Sequence, residues 1–502
     1  MTSSGTTSHN GEDGEGGKDR KDGREREAPR GTGPAWELLL PAAGAPARQR
    51  GRALQSALRD AVRSGRLAPG TRLPASRELA VDLGVSRGLV TEAYEQLTAE
   101  GYLRSERGSG TWVGAAARSV PDAVRDLAPR SSGRGALVDF RPGSPDLSLF
   151  PRAAWAAAQR AVLARLPHSA LGYPDPRGLP QLRSALAALL TRRRGVVADP
   201  ERMVVCSGVA QAMTLLGSVL YGRGLRSLGV EDPGSPGHGP LFRAAGLEME
   251  PLPLDGEGLA VGPLWRSGVR AVSTSPAHQF PTGIAYSARR RVELLEWARS
   301  VDGLIVEDDY DGDFRYDRAP VGALQGLDPE RVAYTGSVSK SLAPGLRLGW
   351  LLVPGPLVEE VVERKRTLDM GHPAIDQALL AELVTSGGYD RHLRCCQRAY
   401  RERRDTLVAA LTEHFPGAQV SGIAAGLHII VRLPDRYGPE KRFKAAARRA
   451  GVIVRSLASH ALVPVPESGV RLVLGYAHLA PSDIMRGIRL LAAAARAEAT
   501  AG

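Results

Sequence analysis

The sequence predicts two folded units of different class. One is a small α+β unit near the N-terminus, and the other is a larger α/β unit with a mostly parallel sheet, flanking helices and a small C-terminal subdomain. Three observations predict this. Residues 52–107 hold three short segments of helical periodicity followed by a hairpin pattern; residues 115–138 are Ala, Arg, Pro, Ser and Gly with weak periodicity; beyond them, short apolar runs alternate with longer helical ones. At 502 residues the chain exceeds one ordinary core, since domains average roughly 150 residues.

Composition narrows the function classes. The chain is 43% hydrophobic and 24% charged, which is globular, and no apolar run approaches the ~18 residues that span a bilayer. Residues 1–34 mix Gly, Ser and both charge signs, so they are expected to be disordered and not a secretory signal. Only Cys206, Cys395 and Cys396 are present, an odd count that points to neither a disulfide framework nor a zinc site and fits a reducing cytoplasm. The net charge of +12 is compatible with nucleic acid, and equally with an Arg-rich soluble surface. Its position is more informative: residues 48–107 hold 11 arginines and no lysine against 7 acidic residues, a local charge of +4.

In the first unit, taken as 35–114, Leu54, Ala57, Leu58, Ala61 and Val62 recur at helical spacing and Gly65 ends the segment. After LAPGTRLP, Ser76 is placed as the N-cap of a short helix from Arg77 to Leu83, stopped by Gly84. Ser86 caps a third helix, Arg87 to Glu100, with Leu89, Val90, Ala93, Tyr94 and Leu97 facing inward. Two short helices joined by Gly84-Val85 form a helix-turn-helix pattern, and GYLRSERGSGTWV reads as two strands with a Gly-rich tip, the wing of a winged helix. Such a unit reads base edges with the N-terminal residues of its third helix while neighbouring cations hold phosphates.

The stretch LAPGTRLPASRELAVDLGVSRGLVTEAYEQLTAEGYLRSERGSGTWV resembles the GntR-type winged helix over almost its whole length. The resemblance implies operator DNA as partner. It makes Arg77 and Arg87 the main contacts, places Ser86 and Thr91 on the same surface, and makes Arg107, Gly108 and Gly110 the wing contact. The remaining reading of these arginines is a solvated helical hairpin that binds another protein.

In the second unit, 139–498 with its subdomain from about 395, RMVVCSG, VRAVSTS and DGLIVEDD read as strands and VAQAMTLLGSVL as a helix. Gly208, Val209 and Ala210 follow the strand MVVC and open that helix, so their N–H groups can hold a phosphate. The apolar strand Gly303–Val306 delivers Asp308 and Tyr310 at its carboxyl end, where open α/β sheets bind ligands. Alternation places Asp308 and Tyr310 on one side, while a one-residue slip would substitute Asp309. Lys340 sits in GSVSKSLAPGLRLGW with Ser337 before it and Arg347 seven positions after it. An imine-forming Lys, a phosphate cradle, an acid for the ring nitrogen and a donor to the ring oxygen are the groups that pyridoxal 5'-phosphate (PLP) chemistry needs.

SGVAQAM, EDPGSPGH, STSPAHQFPTG, IVEDDYDGDFRY and SVSKSLAPGLRLGW occur in the order found in the fold type I aminotransferase-like half of MocR-type regulators, a GntR subfamily, and the resemblance spans about 36–495. It implies a PLP Schiff base on Lys340 and a head-to-tail homodimer in which Tyr173 reaches the partner's PLP phosphate. It implies that His278 and Gln279 lie near the ring oxygen, that His238 lies beside the ring acid, and that Arg471 receives an effector carboxylate. Ser235 stands where the family usually carries a stacking aromatic ring. That ring is worth roughly 0.5–1.5 kcal/mol, up to about tenfold in affinity.

Three functions fit this pattern. The first is a regulator in which PLP, or an amine such as a small ω-amino acid, changes DNA binding. The second is an aminotransferase with an attached DNA-binding module, using Lys340, Asp308 and Arg471. The third is a DNA-binding regulator whose large unit is an unliganded dimerisation scaffold, as Ser235 would allow.

Overall fold

The computed structural model describes residues 44–106, 109–115, 138–316, 321–422, 424–464 and 469–500. The chain divides near residue 132 into two compact units. The expected N-terminal tail, nearly all of the 115–138 linker, and wing residues Arg107 and Gly108 lie outside the described residues.

In the first unit the helices run Arg50–Arg63, Ser76–Leu83 and Arg87–Ala99. Their apolar faces meet in one core that includes Leu54, Leu58, Leu79, Val90 and Leu97, and each fully buried Leu contributes about 1.5–3 kcal/mol. Ser76 is not an N-cap: it is the first residue of its helix, and Ala75 occupies the cap. Glu78 Oε2 accepts the Ala75 N–H at 3.2 Å, the back-reaching half of a capping box, while no side chain caps the first-turn N–H groups. Ser86 does cap the third helix, its Oγ accepting the Leu89 N–H at 3.3 Å. Leu89 is half-buried, and the inward face is Val90, Ala93, Tyr94 and Leu97. Strands Leu103–Glu106 and Gly110–Val113 pair antiparallel, Leu103 opposite Val113, and make the wing.

The second unit is built on an eight-stranded sheet. Its order is Met203–Cys206, Gly349–Leu352, Val332–Ser337, Leu304–Asp308, Ala271–Thr274, Ser227–Asp232, Glu248–Asp255 and Gly258–Leu259. The run from Val332–Ser337 to Glu248–Asp255 is parallel, whereas Gly349–Leu352 is antiparallel to both neighbours. Helices such as Gly208–Gly222 and Ala288–Ser300 pack apolar faces on the sheet and leave its central strands, such as Ala271–Thr274 and Leu304–Asp308, buried on both sides, the condition for a parallel sheet. A four-stranded antiparallel sheet of Gln419–Ser421, His428–Leu433, Val470–Gly475 and Arg455–Ser456 forms the smaller part. Val138–Asp139 pairs with Val452–Ile453. Among the described residues no helix is long and apolar enough to cross a membrane.

Candidate functional site

The sheet order brings distant motifs to one place. Strand Leu304–Asp308 ends beside Val332–Ser337, with Asp308 opposite Thr335. The loop after the latter strand carries Lys340, and the next strand returns antiparallel from Gly349 to pair with Met203–Cys206, ahead of Gly208. The result is a cavity of about 360 Å3 whose walls include Val209, Ala210, Asp308, Tyr310, Ser337, Lys340 and Arg347, together with Ser235 and His238.

Asp308 is 5% exposed. Thr335 Oγ1 donates to its Oδ1 at 3.2 Å and His238 Nε2 lies 3.3 Å from its Oδ2. Burial and then the neighbouring Asp309 push its pKa up to about 7, while burial holds His238 down at about 4, so the imidazole is neutral. Of the two candidate acids, only Asp308 is among the residues lining the cavity. Asp309 leaves the cavity and pairs with buried Arg194, Nε to Oδ2 2.6 Å, and with the Tyr334 hydroxyl. Lys340 Nζ donates to the Gly143 carbonyl at 2.5 Å, and burial lowers its pKa against the opposing pull of Asp311 and Asp308.

The anion end is a close backbone approach. Gly208 has φ +76°, and a Cβ there would lie 2.7 Å from Arg347 Nη2. Arg347 is itself left-handed at φ 50° and donates to Ser207 O at 2.5 Å. A Cβ on Gly349 would lie 2.8 Å from the Gly208 Cα, so both positions exclude a side chain. Beneath the loop, Ser207 N donates to Gln211 Oε1, Gln211 to Asp369, and the fully buried Lys365 to Asp369 at 2.8 Å.

Other predicted residues lie elsewhere. His278 and Gln279 are not among those lining the cavity. His278 Nδ1 packs behind Tyr310, 2.9 Å from Asp311 Oδ2 and 3.1 Å from the Tyr310 hydroxyl, and Gln279 donates to Glu231 and the Pro233 carbonyl. Arg471 is half-buried in Val470–Gly475, paired opposite Arg432, on the face of the small sheet that it shares with His428, and it is not itself among the residues lining the cavity. Tyr173 is 87% exposed and does not line the cavity of its own chain. Gly143, Phe280, Leu427 and His428 line it unforeseen. Only the aromatic Phe280 beside the PTG turn carried any local signal; the others arrive from sequence-distant turns.

In the first unit an open groove is lined by Arg72, Arg87, Thr91, Ser105 and Gly110, with Glu78, Asp82, Glu95 and Glu106 in the same wall. Arg77 and Arg87 are exposed and have no ion pair or side-chain hydrogen bond among the described residues. Arg72 and Arg104 lie over the Trp112 ring at 5.8 and 5.7 Å and stiffen the wing.

Fold and site define a winged helix-turn-helix unit joined to an aminotransferase fold. Residues 137–489 match the family "Aminotransferase class I and II" and residues 51–113 the family "Bacterial regulatory proteins, gntR family". The chain is 34% identical over 468 residues to the probable rhizopine catabolism regulatory protein MocR of Rhizobium meliloti, covering 88% of this chain and 93% of that protein. It is 34% identical over 379 residues to the pyridoxine biosynthesis transcriptional regulator PdxR of Corynebacterium glutamicum, covering 75% of this chain and 82% of that one. Among solved structures, a Pyrococcus horikoshii kynurenine aminotransferase superposes with a TM-score of 0.66 at 27% identity, covering 76% of this chain and 96% of that chain. An archaeal alanine:glyoxylate aminotransferase gives 0.64 at 28%, covering 72% and 91%. The chain belongs to the MocR-type subfamily of GntR transcription regulators.

Proposed function

We propose that the protein is a cytoplasmic regulator that binds operator DNA through its first unit and PLP through Lys340 of its second. PLP, or a small amino compound combining with it, is the effector. The observation that supports this best is the convergence of Lys340, Asp308 and Arg347 on one cavity in a chain that also carries gntR-type helices. When bound, PLP supplies a reactive carbonyl and an electron-withdrawing ring.

The residues present fit that group. Lys340 is an amine that burial makes easier to deprotonate. Asp308 would pair with the ring nitrogen, held by Thr335 and the neutral His238, and Tyr310 would face the ring oxygen. The N–H groups of Val209 and Ala210 open a 15-residue helix, and with Ser337 and the Arg347 guanidinium they make a phosphate cradle that a Cβ at Gly208 would disturb. Exposed Tyr173 is available to a second subunit, which supports a head-to-tail homodimer with shared sites. Arg77, Arg87 and Thr91, with the wing residues Arg107, Gly108 and Gly110, are the operator contacts, and Ser86 fixes the start of the third helix beneath them.

A ligand changes DNA affinity only by favouring one arrangement of the chain over another. The relative named as a pyridoxine biosynthesis regulator supports a vitamin of this class as the signal.

The test is an absorbance titration with PLP on the wild type and on Lys340→Ala. A saturable visible band that the variant loses is the expected result. A folded protein that develops no band would make the large unit a scaffold, the reading that Ser235 favours. Sustained turnover of an amino acid with a keto acid would make the protein an enzyme.

A further inference from the structure

Beneath the phosphate end of the cavity lies a polar network that the cofactor reading does not use. At its centre is Lys365 in helix Val358–Asp369, a lysine at 0% exposure that is not among the residues lining the cavity. Its Nζ donates to Asp369 Oδ1 at 3.0 Å and Oδ2 at 2.8 Å, and to Gln211 Oε1 at 3.3 Å. We propose that Lys365 and Gln211 are positioning residues that fix the anion-binding loop from behind and thereby make the site selective for a ligand carrying a phosphate. The inference rests on the cofactor reading above and adds what discriminates PLP from its unphosphorylated aldehyde, pyridoxal.

The direction of each bond carries the argument. Gln211 Nε2 donates to Asp369 Oδ2 at 2.7 Å, and its Oε1 accepts the Ser207 N–H at 2.7 Å. Lys365 has donors only, so it bonds to the oxygen end of Gln211 and forbids the flipped amide, whose NH2 would face both the ammonium and the Ser207 N–H. Burial pushes the Asp369 carboxyl up, but the bonds from Lys365 and Gln211 more than offset it and hold it below the usual carboxylate range. An ordinary helix ion pair does not account for this lysine. A pair four residues apart with the cation first is the weaker polarity, and it returns far less than the burial of an ammonium costs.

Ser207 is held on three sides as a result. Its N–H goes to Gln211, its carbonyl accepts Arg347 Nη2 at 2.5 Å, and its Oγ lies 3.3 Å from His372 Nδ1. Burial and then Lys365 hold the His372 pKa at about 4, so that imidazole is neutral. The Ser207 N–H points into the network, which leaves the N–H groups of Val209 and Ala210 to the anion. Their direction follows from the left-handed turn at Gly208, φ +76°, and the guanidinium of Arg347 is anchored on the Ser207 carbonyl. The orientation of Ser207 therefore sets both the backbone donors and the charged donor of the phosphate cradle.

The test is a pair of absorbance titrations, with PLP and with pyridoxal, on the full-length, cofactor-free protein. Lys365→Met, which keeps the length of the side chain and removes its donor, and Gln211→Leu should each weaken PLP about tenfold and pyridoxal less than about twofold. The double variant should bind PLP within about twofold of Gln211→Leu, because Lys365 acts through Gln211. Inorganic phosphate, measured by calorimetry, should weaken by about the same factor as PLP. Gln211→Leu, at a half-buried position, carries the test if the lysine variant does not fold. Equal weakening of PLP and pyridoxal overturns the proposal, as do unchanged PLP or phosphate affinity in both single variants and losses that multiply in the double variant. Each of these, with a wild type that binds PLP, overturns this proposal alone, whereas a wild type that binds neither aldehyde overturns the cofactor reading as well.

Discussion

Arg194 and Asp309 form a buried, two-pronged ion pair, Nε to Oδ2 2.6 Å and Nη2 to Oδ1 3.1 Å, with both side chains no more than 4% exposed. The pair anchors the end of strand Leu304–Asp308 and turns Asp309 away from the cavity, which leaves Asp308 as the carboxyl inside it. Removing one partner strands a buried charge. Arg194→Ala should cost about 3–5 kcal/mol in urea unfolding, and a loss below about 1 kcal/mol would mean that water reaches Asp309.

The acidic residues around this strand make stability depend on pH. Burial raises Asp308 and Glu307 to about 7 and Glu231 to about 6. Each folded value lies above the unfolded one, so the folded chain binds more protons in this window. Their contribution is fully present below about pH 4 and is lost as pH rises through about 7. A cationic ring nitrogen beside Asp308 removes its share of that loss. The rise in Tm caused by PLP should therefore be larger at about pH 8 than at about pH 5.5, and equal rises would place Asp308 away from the ligand.

Gly208→Ala places a Cβ at φ +76° and 2.7 Å from Arg347 Nη2. Backbone strain of about 1–3 kcal/mol is expected, together with displacement of the guanidinium. Both thermal stability and inorganic phosphate binding should fall; unaltered phosphate affinity would remove this loop from the anion site.

Arg471→Ala should leave PLP affinity as in the wild type and remove the effect of a carboxylate-bearing amine on the absorbance spectrum, because the side chain lies on the face of the small sheet shared with His428, which lines the cavity. An undiminished carboxylate effect in this variant would take that role from Arg471.

Arg87→Ala should weaken operator binding by about 1–3 kcal/mol and relax sequence preference if the guanidinium reads a base, whereas Arg77→Ala should lower affinity for all sequences and reduce the salt slope by about 1 if it holds a phosphate. Filter-binding at several salt concentrations separates the two outcomes. Unchanged binding by both variants would move the DNA surface off these helices.

Local pattern alone determined the winged unit. The periodicity of Leu54, Leu58, Val90 and Leu97, the Ser86 cap and the Gly84 stop lie within a few residues of the features they specify. The same holds for Lys340 and Arg347, whose spacing is short, and for the shared side of Asp308 and Tyr310, which follows from two-residue alternation. The tertiary structure decided what depends on residues far apart in the chain. Whether the Asp308 side or the Asp309 side faces the cavity was settled by Arg194, at the end of helix Pro180–Arg194, which takes Asp309. Ser76 is not the cap because the helix begins at Ser76 itself, one residue earlier than local pattern indicates. A cavity of about 180 Å3 exists only where the turn at Ser235 meets Ser459 and His460 from the small subdomain. Sequence periodicity encodes which face of an element is apolar, but which elements meet is fixed by the summed packing of the whole core, to which no single segment holds the key.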